Sequence, residues 1–415
     1  MEPAQVDLSD VNIQKRPWQA YQLLRDEAPV YRMPDTGMYT ITRYEDICNI
    51  VRDPKRFSMR ANRDFLFKTD AAKQYYVDHG LPRHTPLSTD PPYHTEFRGH
   101  LEPFFSAGRI RQWEPELRKL IEQLANSLET SETIDFVEAF CMPLPMSVMT
   151  VLLGLPLADH KLLKHWTDVW VLPFSHGMTP EQEMYVAKEG VKFQRYLEDA
   201  LERKRREPQE DLLTLLVQTR REDGSELTRK EMIGFAEQAV VGANETTQNA
   251  LAMALCAMIE APGTEQRLRN EPKKIKNFIE ECLRLHSPTA GMYRWTTEDV
   301  EMHGVLIPKG SVVHLRFAAA NRDERHFAEP ETLDLDRKKA GSHLAFSHAI
   351  HHCLGAPLAR LELNLSLEIL LSRRQNFRFG RAADSYEFVP GLALRQMAYL
   401  WIQSDSVDAV AVSTA

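Results

Sequence analysis

The sequence lacks the marks of a secreted or nucleic-acid-binding protein. Only five cysteines occur in 415 residues, and they form no CxxC pair and no even-numbered disulfide framework. The N-terminus, M-E-P-A-Q-V-D, has neither the positive start nor the apolar core of a signal peptide. The net charge of -8 provides no general basic face that would neutralise phosphates. These absences predict a cytoplasmic protein that does not bind nucleic acid.

Long apolar runs are also missing. A membrane-spanning helix needs about 20 apolar residues in a row. The stretch 139–158 carries no charge, but Pro143, Pro145 and Pro156 interrupt it. We interpret it as a buried helix with a kinked entry rather than a membrane span, and we expect no membrane association.

The remaining pattern predicts a mainly α-helical protein with small β-sheets. Hydrophobic residues make up 43% and charged residues 27%, which is ordinary for a globular protein. Helical spacing dominates from about residue 93 to 370, and residues 59–89 look irregular. Strand-like patterns mark three segments, at about 30–60, 294–317 and 377–402. We expect a single domain over residues 1–415.

The best-defined element is a long helix that begins at Thr228. Thr228 and Glu231 form a capping-box signature, and apolar or small residues then recur at helical spacing until Pro262. A helix of about thirty residues is roughly 45 Å long. Its middle, G-A-N-E-T-T at 242–247, is small, polar and acidic, which is costly inside a core helix. Two interpretations remain: a solvated face or kink, or a site where the helix opens towards a ligand.

The densest polar cluster is H-L-A-F-S-H-A-I-H-H-C-L-G-A-P-L-A-R at 343–360. Cys353 lies just before a predicted helix start, where the helix dipole and free N–H groups favour a thiolate. A thiolate suits a soft metal or a haem iron. Zinc held by His348, His351, His352 and Cys353 is an alternative, although these neighbours are crowded for a tetrahedral site. A packed thiol among surface histidines is the other alternative.

The segment F-S-H-A-I-H-H-C-L-G at 346–355 resembles the cysteine-ligand loop of the cytochrome P-450 haem-thiolate monooxygenases. Phe346, His351, Cys353 and Gly355 match the family pattern, in which the His position holds His or Arg. Ala349 stands where glycine is usual. The resemblance implies a haem b whose iron is bound by Cys353.

Further segments resemble family motifs in the family's order, across nearly the whole chain. They are H-T-E-F-R at 94–98, G-A-N-E-T at 242–246, E-C-L-R at 281–284 and N-R-D at 321–323. The implied fold is the cytochrome P-450 fold, with the long central helix over the haem and the cysteine loop beneath it. Glu281 and Arg284 are implied to form a buried structural pair.

The resemblance also assigns roles to single residues. The residues implied to contact the haem are His94, Arg98, Arg294 and His343 at the propionates, with Phe346 and Ala243. Thr246 and Glu245 are implied to deliver protons during oxygen activation, the first through a hydroxyl and the second through a carboxylate.

The implied activity is the insertion of one oxygen atom of O2 into a small organic substrate, by hydroxylation or epoxidation. The chain has no GxGxxG fingerprint and no cysteine quartet, so we expect its electrons to come from separate proteins. The resemblance to the soluble bacterial branch of the family implies that these are a ferredoxin and its NAD(P)H-dependent reductase. Arg109, Arg111 and Arg360 are candidates for docking the ferredoxin. The chain is expected to resemble the soluble bacterial branch of the family and to be a monomer.

The substrate pocket is placed only by analogy with the family. The candidate lining residues are Phe65, Phe67, Val240, Ala290, Met292 and Leu392. They are apolar, which favours a hydrophobic substrate. Arg83 and Arg395 are secondary candidates for binding a substrate carboxylate. Two alternative functions remain, a peroxide-dependent haem-thiolate enzyme and a non-catalytic haem-binding protein.

Overall fold

The computed structural model describes residues 2–3, 6–8, 10–60, 67–82, 85–128, 132–174, 178–382 and 384–407. Helices dominate it, as predicted. In chain order they are α1 (Val11–Lys15), α2 (Trp18–Glu27), α3 (Tyr44–Val51), α4 (Asp70–His79), α5 (Tyr93–Leu101), α6 (Ala107–Gln112), α7 (Glu114–Ser127), α8 (Pro143–Leu152), α9 (His160–Val171), α10 (Pro180–Arg206), α11 (Leu212–Gln218), α12 (Arg229–Glu260), α13 (Thr264–Asn270), α14 (Ile275–His286), α15 (Phe317–Ala320) and α16 (Ala356–Arg373).

The strands are short and fall mainly where strand patterns were predicted. They are β1 (Val30–Arg32), β2 (Tyr39–Ile41), β3 (Phe57–Ser58), β4 (Ile134–Asp135), β5 (Met292–Thr296), β6 (Val300–Met302), β7 (Val305–Ile307), β8 (Val312–Leu315), β9 (Arg374–Phe379), β10 (Tyr386–Val389) and β11 (Gln396–Ser406). The largest sheet has the order β1-β2-β8-β5-β3. In it β2 and β8 run parallel, whereas β5 and β8 are antiparallel with Arg294 opposite Val313.

The remaining strands form two smaller sheets. One has the order β10-β11-β4, with β9 also paired to β11. The other is the hairpin of β6 and β7, which turns at His303 and Gly304. Gly304 has φ +74°, a left-handed conformation that glycine adopts without steric cost. The hairpin lies within the segment at about 294–317 where a strand-like pattern was predicted.

The chain divides into two compact units. Unit 1 comprises Met1–Phe57, Ile110–Leu144 and Thr246–Ala415, and unit 2 comprises Ser58–Arg109 and Pro145–Glu245. In unit 1 the largest sheet packs its apolar side chains, among them Ile41, Val313 and Leu315, against Ile47 of α3. In unit 2 the long helix α10 contacts α4, α9 and α11.

The prediction of an irregular segment at 59–89 was wrong in part, because α4 forms within it. Ala72 and Tyr76 of α4 are buried against Val186 and Val191 of α10. Tertiary burial of one apolar helix face stabilises short helices that are marginal alone. The mixed charges of the segment concealed this face in the sequence.

The charge-free stretch at 139–158 folds as a buried helix with an irregular entry. A π-helical turn, Val137–Cys141, precedes α8, and Leu144, Met149 and Leu152 of α8 are buried. Among the described residues no helix is both long and apolar enough to cross a bilayer.

The long helix was predicted almost to the residue. The N–H of Thr228 donates to Glu231 Oε2 at 2.6 Å, and the N–H of Glu231 donates to Thr228 Oγ1 at 3.3 Å. Burial alone would raise the pKa of Glu231, but hydrogen bonds from Tyr93, Thr228 and Arg221 lower it to about 2. The carboxylate therefore stays charged at the positive end of α12.

Candidate functional site

Cys353 differs from the other cysteines in its exposure. All five cysteines are described, and Cys353 alone is exposed. Burial raises the pKa of the Cys48, Cys141, Cys256 and Cys282 thiols, which keeps them protonated. Cys353 is therefore the accessible thiol for an external ligand.

The cysteine loop, residues 343–355, presents this thiol at the start of α16. The N–H of Cys353 donates to the carbonyl of Phe346 at 2.8 Å. Pro357 lies in the first turn of α16, where its missing N–H costs no hydrogen bond. The positive end of α16 is thus available to stabilise a thiolate.

Ala349, the departure from the usual glycine, has an unusual backbone. Its φ is +54°, in the left-handed region that an alanine side chain disfavours by about 1–2 kcal/mol. Ser347 also has a positive φ, +60°. The loop thus keeps a glycine-like turn although it carries alanine.

A buried ionic network lies beside the cysteine loop. Arg360 donates from Nε and Nη2 to Glu280 at 2.7 and 2.9 Å, and its guanidinium stacks 4.5 Å from the ring centre of Phe346. His343 Nε2 lies 3.2 Å from Glu280 Oε2, and His343 Nδ1 accepts from the Ala345 N–H at 3.2 Å. Burial alone would raise the pKa of Glu280, but Arg360 and His343 lower it to about 2.

Glu281 and Arg284 form a second buried pair on α14. Their side chains are 0% exposed and joined by two hydrogen bonds of 2.7 and 2.9 Å. Arg284 also donates to the carbonyls of Asn321, Pro330 and Thr332. One guanidinium therefore ties α14 to the segment that leads into the cysteine loop.

Arg294 is the propionate candidate on the largest sheet. It is only 2% exposed, and its Nη1 donates to the carbonyl of Tyr293 at 2.8 Å. A guanidinium can bind a carboxylate through two hydrogen bonds, so Arg294 stays a candidate for a propionate.

His94 and Arg98 belong to unit 2, on α5. A spacing of four residues puts both on one face of the helix. His94 is 1% exposed, and Arg98 Nε donates to Glu102 Oε1 at 2.7 Å. The helix thus presents two nitrogen donors side by side.

The centre of α12 is α-helical through residues 242–247. Glu245 is 7% exposed, and Ala243 and Thr246 are half-buried. A Cβ atom added to Gly242 would meet nothing within 4 Å. The helix thus places an adjacent carboxylate and hydroxyl beside small residues.

The candidate pocket residues belong to different clusters. Ala290 and Leu392 pack in one cluster of unit 1 with Tyr21, and Met292 packs against the cluster of the largest sheet. In unit 2, Phe67 belongs to the cluster between α4 and α10, and Val240 is fully buried in α12. Phe65 and Arg83 lie outside the described residues. Within unit 1, the structure therefore brings Ala290 and Leu392 together.

Two features escaped the sequence analysis. His351 matched the cysteine-loop motif but was not proposed as a propionate partner, although it lies two residues before Cys353. Arg316, buried beside Arg395, was not singled out at all. Its only sequence signal is a charge directly after an apolar strand.

These residues fit a haem better than zinc. An exposed cysteine at a helix start can supply a thiolate ligand to a haem iron, and buried cationic residues suit propionates. Among the described residues no group of three or more His, Cys, Asp or Glu side chains is arranged to hold a metal ion.

Known proteins resemble this chain along most of its length. The family model for cytochrome P-450 matches residues 155–385. Cytochrome P-450 109 of Bacillus spizizenii is 35% identical over 381 residues, which cover 90% of this chain and 88% of that protein. The mycinamicin IV hydroxylase/epoxidase of Micromonospora griseorubida is 32% identical over 382 residues, 90% of this chain and 92% of that enzyme. The solved structure of cytochrome P-450 CYP109Q5 from Chondromyces apiculatus has a TM-score of 0.85 at 29% identity and covers 97% of this chain and 98% of its own.

The fold and the accessible thiol define a haem-thiolate oxidoreductase. The chain belongs to the cytochrome P-450 family. It is a monooxygenase, and its cofactor is a haem iron with a thiolate ligand. The predictions of family, fold class and enzyme class are thereby confirmed.

Proposed function

We propose that this protein hydroxylates or epoxidises a hydrophobic small molecule with O2, using a haem b held by Cys353. The single observation that carries the assignment is the exposed Cys353 thiol at the start of α16. The sequence has no CxxC pair for covalent haem attachment, which supports haem b. When bound, the haem supplies an iron–thiolate centre whose electron density favours O–O cleavage.

We assign the propionates to cationic side chains. Arg294 in unit 1 and the His94–Arg98 face of α5 in unit 2 are the first candidates. His351 joins them because it is at the His-or-Arg position of the cysteine-loop pattern. His343 stays a candidate, although both of its ring nitrogens lie near other groups, so we expect its main effect through Glu280 and the loop.

We assign proton delivery to Thr246 and Glu245. The Thr246 hydroxyl both donates and accepts hydrogen bonds, so it can hold a proton at Oγ1 and pass it on. The Glu245 carboxylate, at 7% exposure, can take up and release a proton through water. Water between the two side chains would let Glu245 resupply Thr246 with protons. Peroxide-driven chemistry does not need such a relay.

The electron donors are proposed to be a ferredoxin and its NAD(P)H-dependent reductase. Among the docking candidates, Arg360 has its charge neutralised by Glu280. Arg109 lies 3.9 Å from Glu210, which is 91% exposed. Because Glu280 already pairs with Arg360, we rank Arg360 below Arg109 and Arg111 as a docking residue. A cytoplasmic monomer remains part of the proposal.

The ligand assignment is tested by the absorption spectrum of the reduced protein with carbon monoxide. Cys353→Ser should abolish the red-shifted Soret band of a thiolate-bound haem. Cys256→Ala is a matched control, because it alters a buried helical cysteine and should leave the band in place. A thiolate band that survives in Cys353→Ser would contradict the assignment.

The proton relay is tested by the ratio of product formed to NAD(P)H consumed. Thr246→Ala should lower this ratio and release peroxide, while substrate binding is retained. Glu245→Gln should slow turnover, on the scale of 10²- to 10⁴-fold for general acid–base groups. Thr247→Ala, which changes the next hydroxyl along α12, is the control. Full turnover with peroxide alone, together with an unchanged ratio in both variants, would favour the peroxide-dependent alternative.

A further inference from the structure

Two buried arginines of unit 1 line one cavity. Arg316 follows β8 and Arg395 directly precedes β11, and they are 2% and 7% exposed. The cavity is also lined by Trp18 and Tyr21 of α2 and by Ala290. Two guanidinium groups therefore approach one small, partly open cavity.

Neither arginine has a carboxylate partner among the described residues. Arg316 donates to the Tyr21 hydroxyl at 2.6 Å and to the carbonyl of Leu392. Arg395 donates to the carbonyls of Gln14 and Lys15, each at 3.2 Å. Arg395 Nε is buried and has no hydrogen-bond partner in the described part of the chain. The two positive charges are thus hydrogen-bonded in part but not neutralised.

Two other buried arginines of unit 1, by contrast, do have carboxylate partners. Arg25 lies 3.5 Å from Glu324, and Arg322 pairs with Glu331. Arg316 instead stacks on the ring of Tyr21, at 5.0 Å from its centre, and Arg395 stacks on the ring of Phe388, at 3.7 Å. Such stacking offsets part of the cost of a buried cation, whereas a paired anion offsets more of it.

The electrostatics of the cavity favour an anion. Burial lowers the pKa of Arg395 to about 10, and the charge of Arg316 acts in the same direction while Tyr21 opposes it. Arg395 is therefore still charged at neutral pH and is repelled by Arg316. The Tyr21 hydroxyl accepts from Arg316, and among the described residues nothing accepts its hydrogen, so it is a further donor.

The cavity lies beside two of the candidate pocket residues, Ala290 and Leu392. Ala290 lines the cavity, and its N–H donates to the carbonyl of Ala393, the residue after Leu392, at 2.8 Å. Its volume is about 10 Å³, close to the minimum for one water molecule. Only one oxygen of a ligand can enter it, so the rest of the ligand must lie outside.

We propose that Arg316 and Arg395 bind the carboxylate end of an otherwise apolar substrate, with Tyr21 as a third donor. The proposal names the substrate class of the function given above and rests on it. The competing occupant is one water molecule, which would accept from Arg395 Nε and donate to the unpaired Gln14 Oε1. Water would leave both charges uncompensated.

The test compares two probes of equal chain length, dodecanoate and 1-dodecanol, on the intact holoprotein. Dissociation constants are measured by calorimetry and by the shift of the Soret band. We expect dodecanoate to bind about ten- to a hundredfold more tightly, the range for hydrogen bonds to charged groups. Equal affinity of the two probes would overturn the proposal in favour of water.

Variants of Arg316 and Arg395 test whether these residues cause the preference for dodecanoate over 1-dodecanol. Arg395→Gln and Arg316→Gln should each lose most of the preference for dodecanoate and keep their affinity for 1-dodecanol. Arg316→Lys, which keeps the charge, covers the case in which Arg316→Gln fails to fold, and it should retain part of the preference. The control is Arg381→Gln, an exposed arginine stacked on Trp401, which should behave as the unaltered protein. A preference that survives in the Arg395→Gln and Arg316→Lys variants undiminished would overturn the assignment.

The remaining outcomes separate this proposal from the proposed function. Thermal protection by acetate, without a preference for dodecanoate, would show a site for a free anion and overturn the substrate assignment. Selective binding of dodecanoate by a protein that shows no turnover with electron donors would support the anion site and contradict the proposed function. Calorimetry reports binding without requiring turnover.

Discussion

Two clusters of charged side chains in unit 1 differ in whether their arginines have carboxylate partners. Beside the cysteine loop, the Arg284 and Arg360 guanidinium groups each have a carboxylate partner at 2.7–2.9 Å. Among the described residues, the partners of Arg316 and Arg395 are carbonyls, a hydroxyl and aromatic rings. The first arrangement holds segments of the fold together. In the second arrangement the positive charges have no carboxylate partner among the described residues, which is why we propose it as an anion-binding site.

The largest loss of stability is expected where a buried ion pair is broken. Arg284→Met would leave Glu281 charged and fully buried without its main partner, and three backbone carbonyls would each lose one hydrogen bond. We expect a loss of about 3–5 kcal/mol in the free energy of unfolding, measured by urea denaturation.

A half-exposed arginine provides the control for this change. Arg267→Met removes ion pairs with Glu271 and Asp336, whose side chains are about half exposed, and should cost less than about 1 kcal/mol. If both variants lost the same stability, the distinction between buried and exposed pairs would fail.

The second largest effect is a pH-dependent loss of stability that involves Glu280. Glu280 has its pKa lowered from the ordinary 4.5 to about 2, which corresponds to roughly 3 kcal/mol of stability. A carboxyl whose pKa is lowered on folding adds stability above its unfolded pKa, and this stability is lost as the pH falls from about 4.5 towards 2. The melting temperature should therefore fall more steeply over this range in the unaltered protein than in Glu280→Gln.

A variant of a surface carboxylate tests whether Glu280 causes this dependence of the melting temperature on pH. Glu368→Gln changes an exposed partner of Arg118 and should keep the slope of the unaltered protein. Parallel curves for the unaltered protein and Glu280→Gln would show that the buried network does not stabilise the loop region.

The smallest effect is expected at the uncompensated cluster. Arg395→Met removes a buried charge that lacks a carboxylate partner, and it also loses two hydrogen bonds to carbonyls. These contributions oppose each other, so the free energy of unfolding without ligand should change by less than about 1 kcal/mol. A loss as large as that of Arg284→Met would make Arg395 a structural residue like Arg284, and urea denaturation of both variants decides this.

The sequence by itself determined the features that depend on local spacing. The capping box of Thr228 and Glu231, the glycine turn between β6 and β7 and the position of Cys353 before a helix start are all encoded within a few residues. The same holds for Glu281 and Arg284, whose spacing of three residues puts them on one helical face. The family motifs are short patterns of this kind, which is why family and fold class were predictable.

Only the tertiary structure decided which distant groups meet. The contact of α4 with α10 depends on a buried face that the mixed charges of the segment concealed. His343 lies beside Glu280 and Arg316 beside Arg395 because helices, strands and loops far apart in the chain converge there. No local pattern records whether a charge will be buried or paired, since its free energy depends on neighbours that folding brings together. The candidate anion site therefore became visible only in the folded chain.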